Sequence, residues 1–266
     1  MNAKTLVIVP TYNERDNLAP LANRLLILDV KIDLLVVDDN SPDGTGKIAD
    51  ELAAKHPSIH VLHRTEKNGL GRAYCAGFAW ALERQYEFIF EMDADFSHNP
   101  NDLPRLYHAC KNGGADVAIG SRYVKTGGVV NWPWDRVALS KGGSLYTRLI
   151  TWMPVKDPTA GFVCYKKEVL ETINLDEIVF VGYAFQIEMK FAAWKLHFKL
   201  KEVPIIFQDR IQGVSKMNKG IVKEGVLGVL KLRWHSLFTN YRKRVKNTDG
   251  TEVNSLPGNK IAAESK

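Results

Sequence analysis

Short hydrophobic runs and amphipathic stretches alternate along the chain and predict strands and helices in turn. The run Thr5-Leu6-Val7-Ile8-Val9 is apolar throughout, which is typical of a parallel strand buried on both faces. From residue 17 to residue 28, leucines recur at helical spacing. Further strands are predicted at residues 34–37, 59–62, 86–90 and 116–120, and further helices at 45–55 and 69–82. This alternation predicts an α/β fold with a mostly parallel sheet and helices on both faces.

Polar side chains follow the predicted strands closely. Glu14, Asp39 and Arg122 each come after a different strand, and Asp93 and Asp95 follow the strand at residues 86–90. Because the carboxyl ends of parallel strands meet at one edge of a sheet, these side chains are expected in one crevice. Two carboxylates at a strand end offer half of a site for a hard divalent cation such as Mg²⁺. An Asp-x-Asp pair alone also fits a solvated turn, so the neighbouring motifs have to decide.

Composition narrows the class of protein without identifying its function. The 266 residues are 45% hydrophobic and 25% charged, as in soluble globular proteins. The net charge of +6 suits a nucleotide, a phosphate or an anionic membrane surface, and it also fits no specific partner. Cys75, Cys110 and Cys164 lack metal-ligand spacing, so reduced thiols in a cytosolic compartment are expected. Neither a signal peptide nor a membrane span is expected, because no apolar stretch is long enough.

A dinucleotide-binding site of the Rossmann type does not fit the sequence. Such a site needs Gly-x-Gly-x-x-Gly directly after the first strand. The first turn has no glycine, and Gly69-Leu70-Gly71 is followed by Tyr74 where the third glycine belongs. A nicotinamide-dependent dehydrogenase is therefore not expected.

Several motifs along the chain are specific when taken together. They are Ile8-Val9-Pro10-Thr11-Tyr12-Asn13-Glu14, Val36-Val37-Asp38-Asp39-Asn40-Ser41-Pro42-Asp43-Gly44-Thr45, Asn68-Gly69-Leu70-Gly71 and Met92-Asp93-Ala94-Asp95-Phe96-Ser97-His98. With the blocks at residues 120–123, 157–162, 182–189 and 209–216, these motifs resemble those of family 2 glycosyltransferases, which have the GT-A fold. Within it, the chain resembles the dolichol-phosphate (polyprenol-phosphate) mannose synthases from about residue 4 to 240. The resemblance implies a Rossmann-like GT-A fold, a GDP-mannose donor and a polyprenyl phosphate acceptor in a membrane.

The resemblance also implies roles for individual residues. Donor binding is expected from Pro10, Tyr12, Glu14, Val37, Asp39, Asp93, Ala94, Arg122, Arg210 and Lys216. Mg²⁺ or Mn²⁺ is expected at Asp93 and Asp95, with Ser97 as a weaker third ligand. Asp95, Arg122 and Arg210 are expected to act in catalysis, and Arg136, Ser140 and Lys141 to bind the acceptor phosphate.

The chemistry of the acceptor determines the expected mechanism. A phosphate monoester is already anionic at neutral pH, so it can attack the anomeric carbon without a general base. A single in-line displacement with inversion is therefore expected, giving a β-linked product from an α-linked donor. Glu188 lies in an apolar helical context, so a structural role is expected for it.

Two segments outside these motifs bear on a membrane-embedded acceptor. The sequence Asn-Trp-Pro-Trp at residues 131–134 is either a lid that meets lipid or an ordinary loop with a packed tryptophan. Residues 221–238 form an amphipathic pattern followed by basic residues, which fits an interfacial helix and also a core-packing helix. The interfacial alternative is favoured, so peripheral attachment to the cytoplasmic face of a membrane is expected, with or without a separate anchoring subunit. The predicted division is a catalytic domain at 1–216, an interfacial helix at 217–246 and a disordered tail at 247–266.

Two alternatives to mannosyl transfer remain open from the sequence. The same fold would serve for transfer of glucose or another hexose from a UDP-sugar, since Asp39 can pair with uracil as well as guanine. A non-catalytic basic module would bind nucleic acid or membrane, but the chain lacks a concentrated basic stripe and the strand-end carboxylates would have no role. Metal-dependent inverting mannosyl transfer to a polyprenyl phosphate is the preferred interpretation, with no nucleic acid as partner.

Overall fold

The computed structural model describes residues 4–182, 184–209, 219–246 and 252–254. The strands are β1 (Thr5–Thr11), β2 (Asp33–Asp38), β3 (Ile59–His63), β4 (Phe88–Glu91), β5 (Val117–Ser121), β6 (Gly128–Val130), β7 (Val163–Lys166), β8 (Leu200–Pro204), β9 (Ile206–Gln208), β10 (Arg244–Lys246) and β11 (Glu252–Asn254). The helices are α1 (Arg15–Leu26), α2 (Thr45–Lys55), α3 (Leu70–Glu83), α4 (Leu103–Lys111), α5 (Trp134–Thr151), α6 (Lys167–Thr172), α7 (Ala184–Lys195) and α8 (Lys219–His235). The predicted strands and helices as far as β5 are all present, with bounds shifted by at most two residues.

A seven-stranded sheet forms the centre of the fold, with strand order β3-β2-β1-β4-β7-β5-β8. Strand β7 runs antiparallel to both of its neighbours, β4 and β5, and the other neighbouring pairs are parallel. Strands β6 and β9 pair separately beside this sheet, and β10 pairs with β11. The prediction of a mostly parallel α/β sheet is confirmed, and β7 and β8 extend it beyond the strands that were predicted.

Strand β1 passes through the middle of the molecule, and its two faces pack against different helices. Leu6 and Ile8 are fully buried against α3 and α7, whereas Val7 and Val9 are fully buried against α1 and α4. Because successive strand residues point to opposite faces, an uninterrupted apolar run is needed only where helices cover both sides. Each of these buried side chains contributes about 1.5–3 kcal/mol to folding. The helices on both faces were predicted and are confirmed.

Helix α5 was not predicted, because its buried side is polar. The buried residues of α5 are Ser144, Thr147 and Thr151, and the leucines Leu145 and Leu149 are exposed. A search for apolar residues at helical spacing toward a core therefore finds no signal in this segment. The predicted aromatic loop at residues 131–134 leads directly into this helix.

Helix α8 follows the predicted amphipathic stretch, although it begins two residues earlier and ends three residues earlier. Val229 and Leu232 are buried with α7 in the core, and Leu227, Leu230 and Trp234 are exposed. The helix thus has a core-packing side and an apolar solvent-facing side. No helix in the described ranges is long and apolar enough to cross a bilayer. The division into catalytic domain, interfacial helix and tail stays a prediction.

The close packing of α3 on β1 depends on Gly77. A Cβ atom added there would lie 2.7 Å from Ile8 Cγ2, whereas one added at Gly142 of α5 would meet no atom within 4 Å. Both glycines are inside helices, where alanine is favoured by about 1 kcal/mol. Overpacking a core costs about 1–3 kcal/mol.

We therefore expect Gly77→Ala to lower the free energy of unfolding by about 1–2 kcal/mol in urea denaturation. The matched variant Gly142→Ala is expected to raise it by about 0.5–1 kcal/mol. Equal stabilisation by both substitutions would show that α3 does not pack as tightly on β1 as described.

Candidate active site

A cavity of about 370 Å³ lies at the edge of the sheet where the parallel strands β1, β2 and β4 end. Its lining includes Pro10, Tyr12, Glu14, Asp39, Asp93, Ala94, Asp95, Ser97, Arg122 and Arg136, all predicted for the site. Val37 does not line it, because this side chain is fully buried in the core beneath. Ser140 accepts a hydrogen bond from the Tyr123 hydroxyl, and Lys141 lines a different pocket. Arg210 and Lys216 lie outside the described residues.

The loops after β1 and β2 form one wall of the cavity and are bonded to each other. Buried Asp38 accepts hydrogen bonds from the hydroxyls of Thr11, at 2.9 Å, and Ser41, at 2.6 Å. The Glu14 amide donates to Thr45 Oγ1 at 3.0 Å, which connects the start of α1 to the start of α2. Asp38 therefore holds the wall in place, and its neighbour Asp39 is the aspartate that faces the cavity.

Asp39 is buried and paired with Arg64. Its Oδ1 accepts from Arg64 Nη1 at 2.7 Å, and the side chain is only 7% exposed. Burial raises the pKa of Asp39, although the Arg64 guanidinium opposes that shift. Within the described part of the chain, Arg64 is the side chain that bonds this carboxylate, so the second oxygen remains available to a ligand. The arrangement suits an acceptor for the N–H group of a nucleotide base.

Asp93, Asp95 and Ser97 converge on the cavity from the loop after β4. Asp95 is 6% exposed, and its Oδ1 accepts from the Ser97 amide at 3.0 Å. Ser97 Oγ is buried with no hydrogen-bond partner among the described residues. Phe96 between them has a φ of 60°, a left-handed conformation that costs energy for an aromatic residue and turns the loop toward the cavity.

These residues fit a hard divalent cation. Mg²⁺ takes one or two protein carboxylates and completes its shell with water and phosphate oxygens. Asp93 and Asp95 would supply the carboxylates, and the Ser97 hydroxyl, which has no partner among the described residues, is a further oxygen beside them. Across the described ranges no cluster of three or more His, Cys, Asp or Glu side chains that could hold a metal is present.

The neutral side chain of His98 accepts a hydrogen bond from the backbone at the start of this loop and thereby fixes it. Its Nδ1 accepts from the Asp93 amide at 3.4 Å, and its ring lies between those of Phe162 and Phe207. Burial lowers the pKa of His98 to about 4, and Arg122 acts in the same direction. The imidazole therefore stays uncharged at neutral pH and holds the backbone of Asp93.

Arg122 is held by a buried ion pair with Asp157. Its Nε and Nη2 donate to the two carboxylate oxygens at 2.7 and 2.6 Å, and its backbone amide donates to Oδ2 at 2.9 Å. Nη2 also donates to Thr159 Oγ1 at 2.8 Å. Asp157 is fully buried, and Arg122 is 5% exposed. The pair joins the end of β5 to the segment before β7, which forms the opposite wall of the cavity.

Aromatic rings surround this ion pair. Trp132 and Phe207 contact each other edge to face, and each lies over the Arg122 guanidinium at 5.6 and 5.4 Å. Arg136 stacks on Trp132 at 4.0 Å and pairs with Asp209 at 2.9 Å. Trp132 is thus a packed tryptophan at the cavity, and Trp134 two residues later is 82% exposed. The lid interpretation of residues 131–134 stays a prediction.

A layer of buried polar side chains supports the cavity from below. Lys190 is fully buried and donates to the carbonyls of Ala160, at 2.7 Å, and Gln186, at 2.8 Å. Ala160 and Gln186 both line the cavity. Burial raises the pKa of Glu91 to about 8, against the opposing field of Lys190. This layer therefore connects the cavity wall to the core through the Lys190 ammonium group.

Glu188 has a structural position, as expected. It is fully buried, does not line the cavity, and its Oε2 accepts from the amides of Val179 and Phe180 at 3.0 and 2.9 Å. Burial raises its pKa to about 7, although these two hydrogen bonds and Tyr241 oppose the shift. The carboxylate fixes the segment that precedes α7.

Comparison with known proteins identifies the family. The model of "Glycosyl transferase family 2" matches residues 6–173. The chain belongs to glycosyl transferase family 2. This family 2 chain is 50% identical to a polyprenol monophosphomannose synthase of Mycolicibacterium smegmatis over 227 residues, 85% of each chain. It is 49% identical to an undecaprenyl-phosphate mannosyltransferase of Micrococcus luteus over 238 residues, 88% of this chain and 97% of that one.

More distant relatives agree with this assignment. A dolichol-phosphate mannosyltransferase of Pyrococcus furiosus is 39% identical over 238 residues, 87% of this glycosyltransferase and 64% of the relative. A glucosyl-3-phosphoglycerate synthase from Mycobacterium tuberculosis, solved with Mn²⁺, UDP and phosphoglyceric acid, superimposes with a TM-score of 0.65. The superposition covers 96% of this chain and 88% of the synthase. At 15% sequence identity, the likeness shows a shared GT-A fold and nothing about activity.

Sequence reasoning missed several side chains that shape the site of this glycosyltransferase. Lys67 lines the cavity and lies over the Tyr12 ring at 3.7 Å. Asp157 and Gln186 belong to blocks that carried the resemblance, but the sequence assigned no role to either. The buried positions of Glu91 and Lys190 have no sequence signal, because their environment is created by segments distant in the chain.

Because Glu188 is buried, we expect the stability of the protein to depend on pH through this carboxyl group. Folded Glu188 keeps its proton to about pH 7, whereas its ordinary pKa is 4.5. Between these values the folded state binds more protons, so this group makes stability fall as the pH rises. We expect Glu188→Gln, which cannot ionise, to gain about 3 kcal/mol in unfolding free energy relative to the parent between pH 4.5 and 7.

Urea unfolding at a series of pH values measures this difference. Glu168→Gln, at an exposed position on α6, is the control for replacing a carboxylate with an amide, and the gain with rising pH should be larger for Glu188→Gln. If the unfolding free energy of Glu188→Gln ran parallel to that of the parent from pH 4.5 to 7, the raised pKa of folded Glu188 would be contradicted.

Removal of Lys190 should destabilise the protein and loosen the cavity wall. Lys190→Met leaves the buried carbonyls of Ala160 and Gln186 without their donor, so we expect a loss of about 3 kcal/mol in unfolding free energy. Lys195 on the same helix is exposed, and its ammonium group donates a long hydrogen bond of 3.3 Å to the Ser236 carbonyl, so Lys195→Met should cost less than about 1 kcal/mol. Similar costs for the two variants would show that Lys190 does not support the wall.

Proposed function

We propose that this glycosyltransferase transfers mannose from GDP-mannose to a polyprenyl monophosphate, with inversion, giving polyprenyl-phosphate β-mannose and GDP. The observation that carries the proposal is the convergence of Asp39, Asp93 and Asp95 on one cavity, in a chain about 50% identical to two polyprenyl-phosphate mannosyltransferases. One end of the cavity offers a hydrogen-bond acceptor for the nucleotide base, and the other offers oxygen ligands for a cation. A nucleoside diphosphate sugar needs these two subsites in this arrangement, since its base and its diphosphate lie at opposite ends of the nucleoside.

The wall formed by the loops after β1 and β2 would hold the nucleoside. Asp39 accepts N–H groups of the base, and Tyr12 with the Lys67 ammonium above its ring offers a flat surface beside it. Glu14 lies at the start of α1, where its carboxylate also accepts from the Asn17 side chain at 2.8 Å. The carboxylate is thereby oriented to accept a ribose hydroxyl.

The charges of the cavity support a metal requirement. Its lining has four carboxylates, those of Glu14, Asp39, Asp93 and Asp95, and three basic side chains, Lys67, Arg122 and Arg136. Asp157 offsets Arg122, Asp209 offsets Arg136, and Arg64 offsets Asp39. The other charged lining residues are Glu14, Asp93 and Asp95 against Lys67, so negative charge is in excess. A diphosphate would be repelled unless a cation first bound Asp93 and Asp95. Bound Mg²⁺ or Mn²⁺ would neutralise the charge that develops on the leaving diphosphate.

The acceptor phosphate supplies its own nucleophile, and the chain supplies positioning. Arg136 lies at the cavity edge at the start of α5, and its ion pair with Asp209 is partly exposed to solvent, so an incoming phosphate can compete with Asp209 for the guanidinium. No general base is needed, since the phosphate oxygen carries no proton that must be removed. Catalysis then rests on alignment of the phosphate with the anomeric carbon and on leaving-group stabilisation. Arg210 and Lys216 are proposed to add positive charge to the diphosphate.

Peripheral membrane attachment is supported by an apolar surface on α5 and α8, termed the α5–α8 surface. It consists of exposed Trp134, Leu139, Leu145, Leu149 and Trp152 from α5 and its end, and Leu227, Leu230, Trp234, Leu237 and Phe238 from α8 and the residues after it. The two helices are neighbours, because the Tyr146 hydroxyl donates to the Val226 carbonyl at 3.0 Å. Exposed tryptophan and leucine at this density fit the interfacial region of a bilayer. Since α5 also carries Arg136, a lipid phosphate at this surface would lie beside the cavity.

Transfer from radiolabelled GDP-mannose to undecaprenyl phosphate in detergent tests the proposal. We expect organic-phase product with Mg²⁺ or Mn²⁺ and none with EDTA. Asp95→Asn should lower kcat by about 10²–10³-fold, because a cation ligand at the leaving group is lost. Asp50→Asn on α2, whose side chain is 58% exposed, is the matched control and should leave kcat unchanged.

Parallel reactions with UDP-glucose and UDP-mannose test the donor. Product from a UDP-sugar and none from GDP-mannose would still support the assignment of the site, but it would contradict GDP-mannose as the donor. Full activity of Asp95→Asn, or full activity in EDTA, would contradict the proposed role of the two carboxylates.

A further inference from the structure

A second pocket, termed the α5 pocket, lies between helix α5 and the segment that follows β5. Its volume is about 300 Å³, and its lining includes Arg122, Lys141, Ser144, Leu145, Arg148 and Lys156. Of these residues only Arg122 also lines the cavity of the candidate active site. The α5 pocket and the cavity of the candidate active site are therefore lined by largely different residues and meet at Arg122.

The α5 pocket is strongly basic. Lys141, Arg148 and Lys156 line it, and no aspartate or glutamate does. None of these three side chains forms an ion pair within the described ranges. The carboxylate of Glu202 bonds to the backbone amides of Lys156 and Asp157 without lining the pocket. An anion entering here would therefore meet uncompensated positive charge.

Two buried polar atoms at the pocket lack partners. Ser144 is 3% exposed, and neither its Oγ nor the Nε of Arg148 has a hydrogen-bond partner in the described part of the chain. Thr147 and Thr151 on the same helix satisfy their hydroxyls by donating to carbonyls four residues earlier, at 2.8 and 2.7 Å. A buried hydrogen-bond donor without an acceptor destabilises the folded protein. A bound oxyanion would accept hydrogen bonds from both Ser144 Oγ and Arg148 Nε.

The surroundings of the pocket indicate which oxyanion it takes. Leu145 lines the pocket and also belongs to the α5–α8 surface, where Leu149 and Trp152 are 65% and 71% exposed. A free anion would gain nothing from this apolar rim, whereas the acyl chains of a lipid would cover it. Basic side chains beside exposed tryptophan and leucine are the combination that anionic bilayers attract.

We propose that the α5 pocket binds the phosphate group of an anionic membrane phospholipid. The pocket would hold a bystander lipid beside the acceptor and set the orientation of α5 on the bilayer. The inference rests on the proposed membrane attachment, but not on the sugar or the nucleotide that the enzyme uses.

Binding of the full chain to vesicles of phosphatidylcholine with one-fifth phosphatidylglycerol tests the proposal. The test variant is Arg148→Gln/Lys156→Gln, and the control Arg24→Gln/Lys55→Gln removes the same two charges from exposed positions on α1 and α2. Each basic side chain at an anionic surface contributes about fivefold to affinity, so we expect about a 25-fold loss for the test variant, which lacks two of them. The control should lose no more than about twofold, because its charges lie outside the pocket.

Three outcomes would overturn the proposal. Equal losses for the two double variants would show a general charge effect and no pocket. Release of the parent protein from vesicles by millimolar inorganic phosphate would show a site for free anions. If Arg148→Gln/Lys156→Gln had a higher KM for undecaprenyl phosphate than the parent in detergent, where no phosphatidylglycerol is present, the pocket would hold the acceptor itself.

The same detergent assay separates this proposal from the proposed function. Unchanged transfer by Arg148→Gln/Lys156→Gln, together with weaker vesicle binding, supports the lipid site. Absence of transfer by the parent protein would count against the proposed function alone. Should the double variant unfold, Lys156→Glu at the exposed rim keeps the vesicle test intact, with Lys55→Glu as its control.

Discussion

The buried ion pair between Arg122 and Asp157 holds the two halves of the cavity together. Arg122 follows β5, and Asp157 precedes β7, the strand that runs antiparallel between β4 and β5. Since β4 leads to Asp93 and Asp95, the pair fixes the distance between the carboxylate loop and the opposite wall. Leaving either charge buried without its partner would cost about 3–5 kcal/mol, so the pair keeps the two walls together while the protein stays folded.

This pairing also determines the electrostatics of the site. An arginine already bonded to a carboxylate through two nitrogens has little net charge left for a diphosphate. The remaining cavity charge is dominated by carboxylates, and Asp39 is itself paired with Arg64. Under the proposed function, a bound divalent cation would remove the repulsion between this acidic cavity and an anionic donor. The protein would then supply the geometry of the site, and the cation would supply its positive charge.

Much of the fold and part of the site could be predicted from the sequence. Asp93 and Asp95 were identified because a strand that is buried on both faces has a readable apolar pattern, and ligands collect where such strands end. Helix α5 was missed because Ser144, Thr147 and Thr151 form its buried side. Asp157 and Lys190 were missed because their partners lie across the antiparallel strand, a pairing that no local pattern records. Val37 was expected to bind the donor, but its side chain is directed into the core.

We propose that a cation held by Asp93 and Asp95 lets this acidic cavity bind a nucleoside diphosphate. Isothermal titration of GDP into the full chain, with and without Mn²⁺, tests this directly, without any acceptor or membrane. We expect affinity to rise at least about tenfold with Mn²⁺, since one charge neutralised in a buried site is worth more than about 1.4 kcal/mol. Equal GDP affinity in the presence and absence of Mn²⁺ would contradict it.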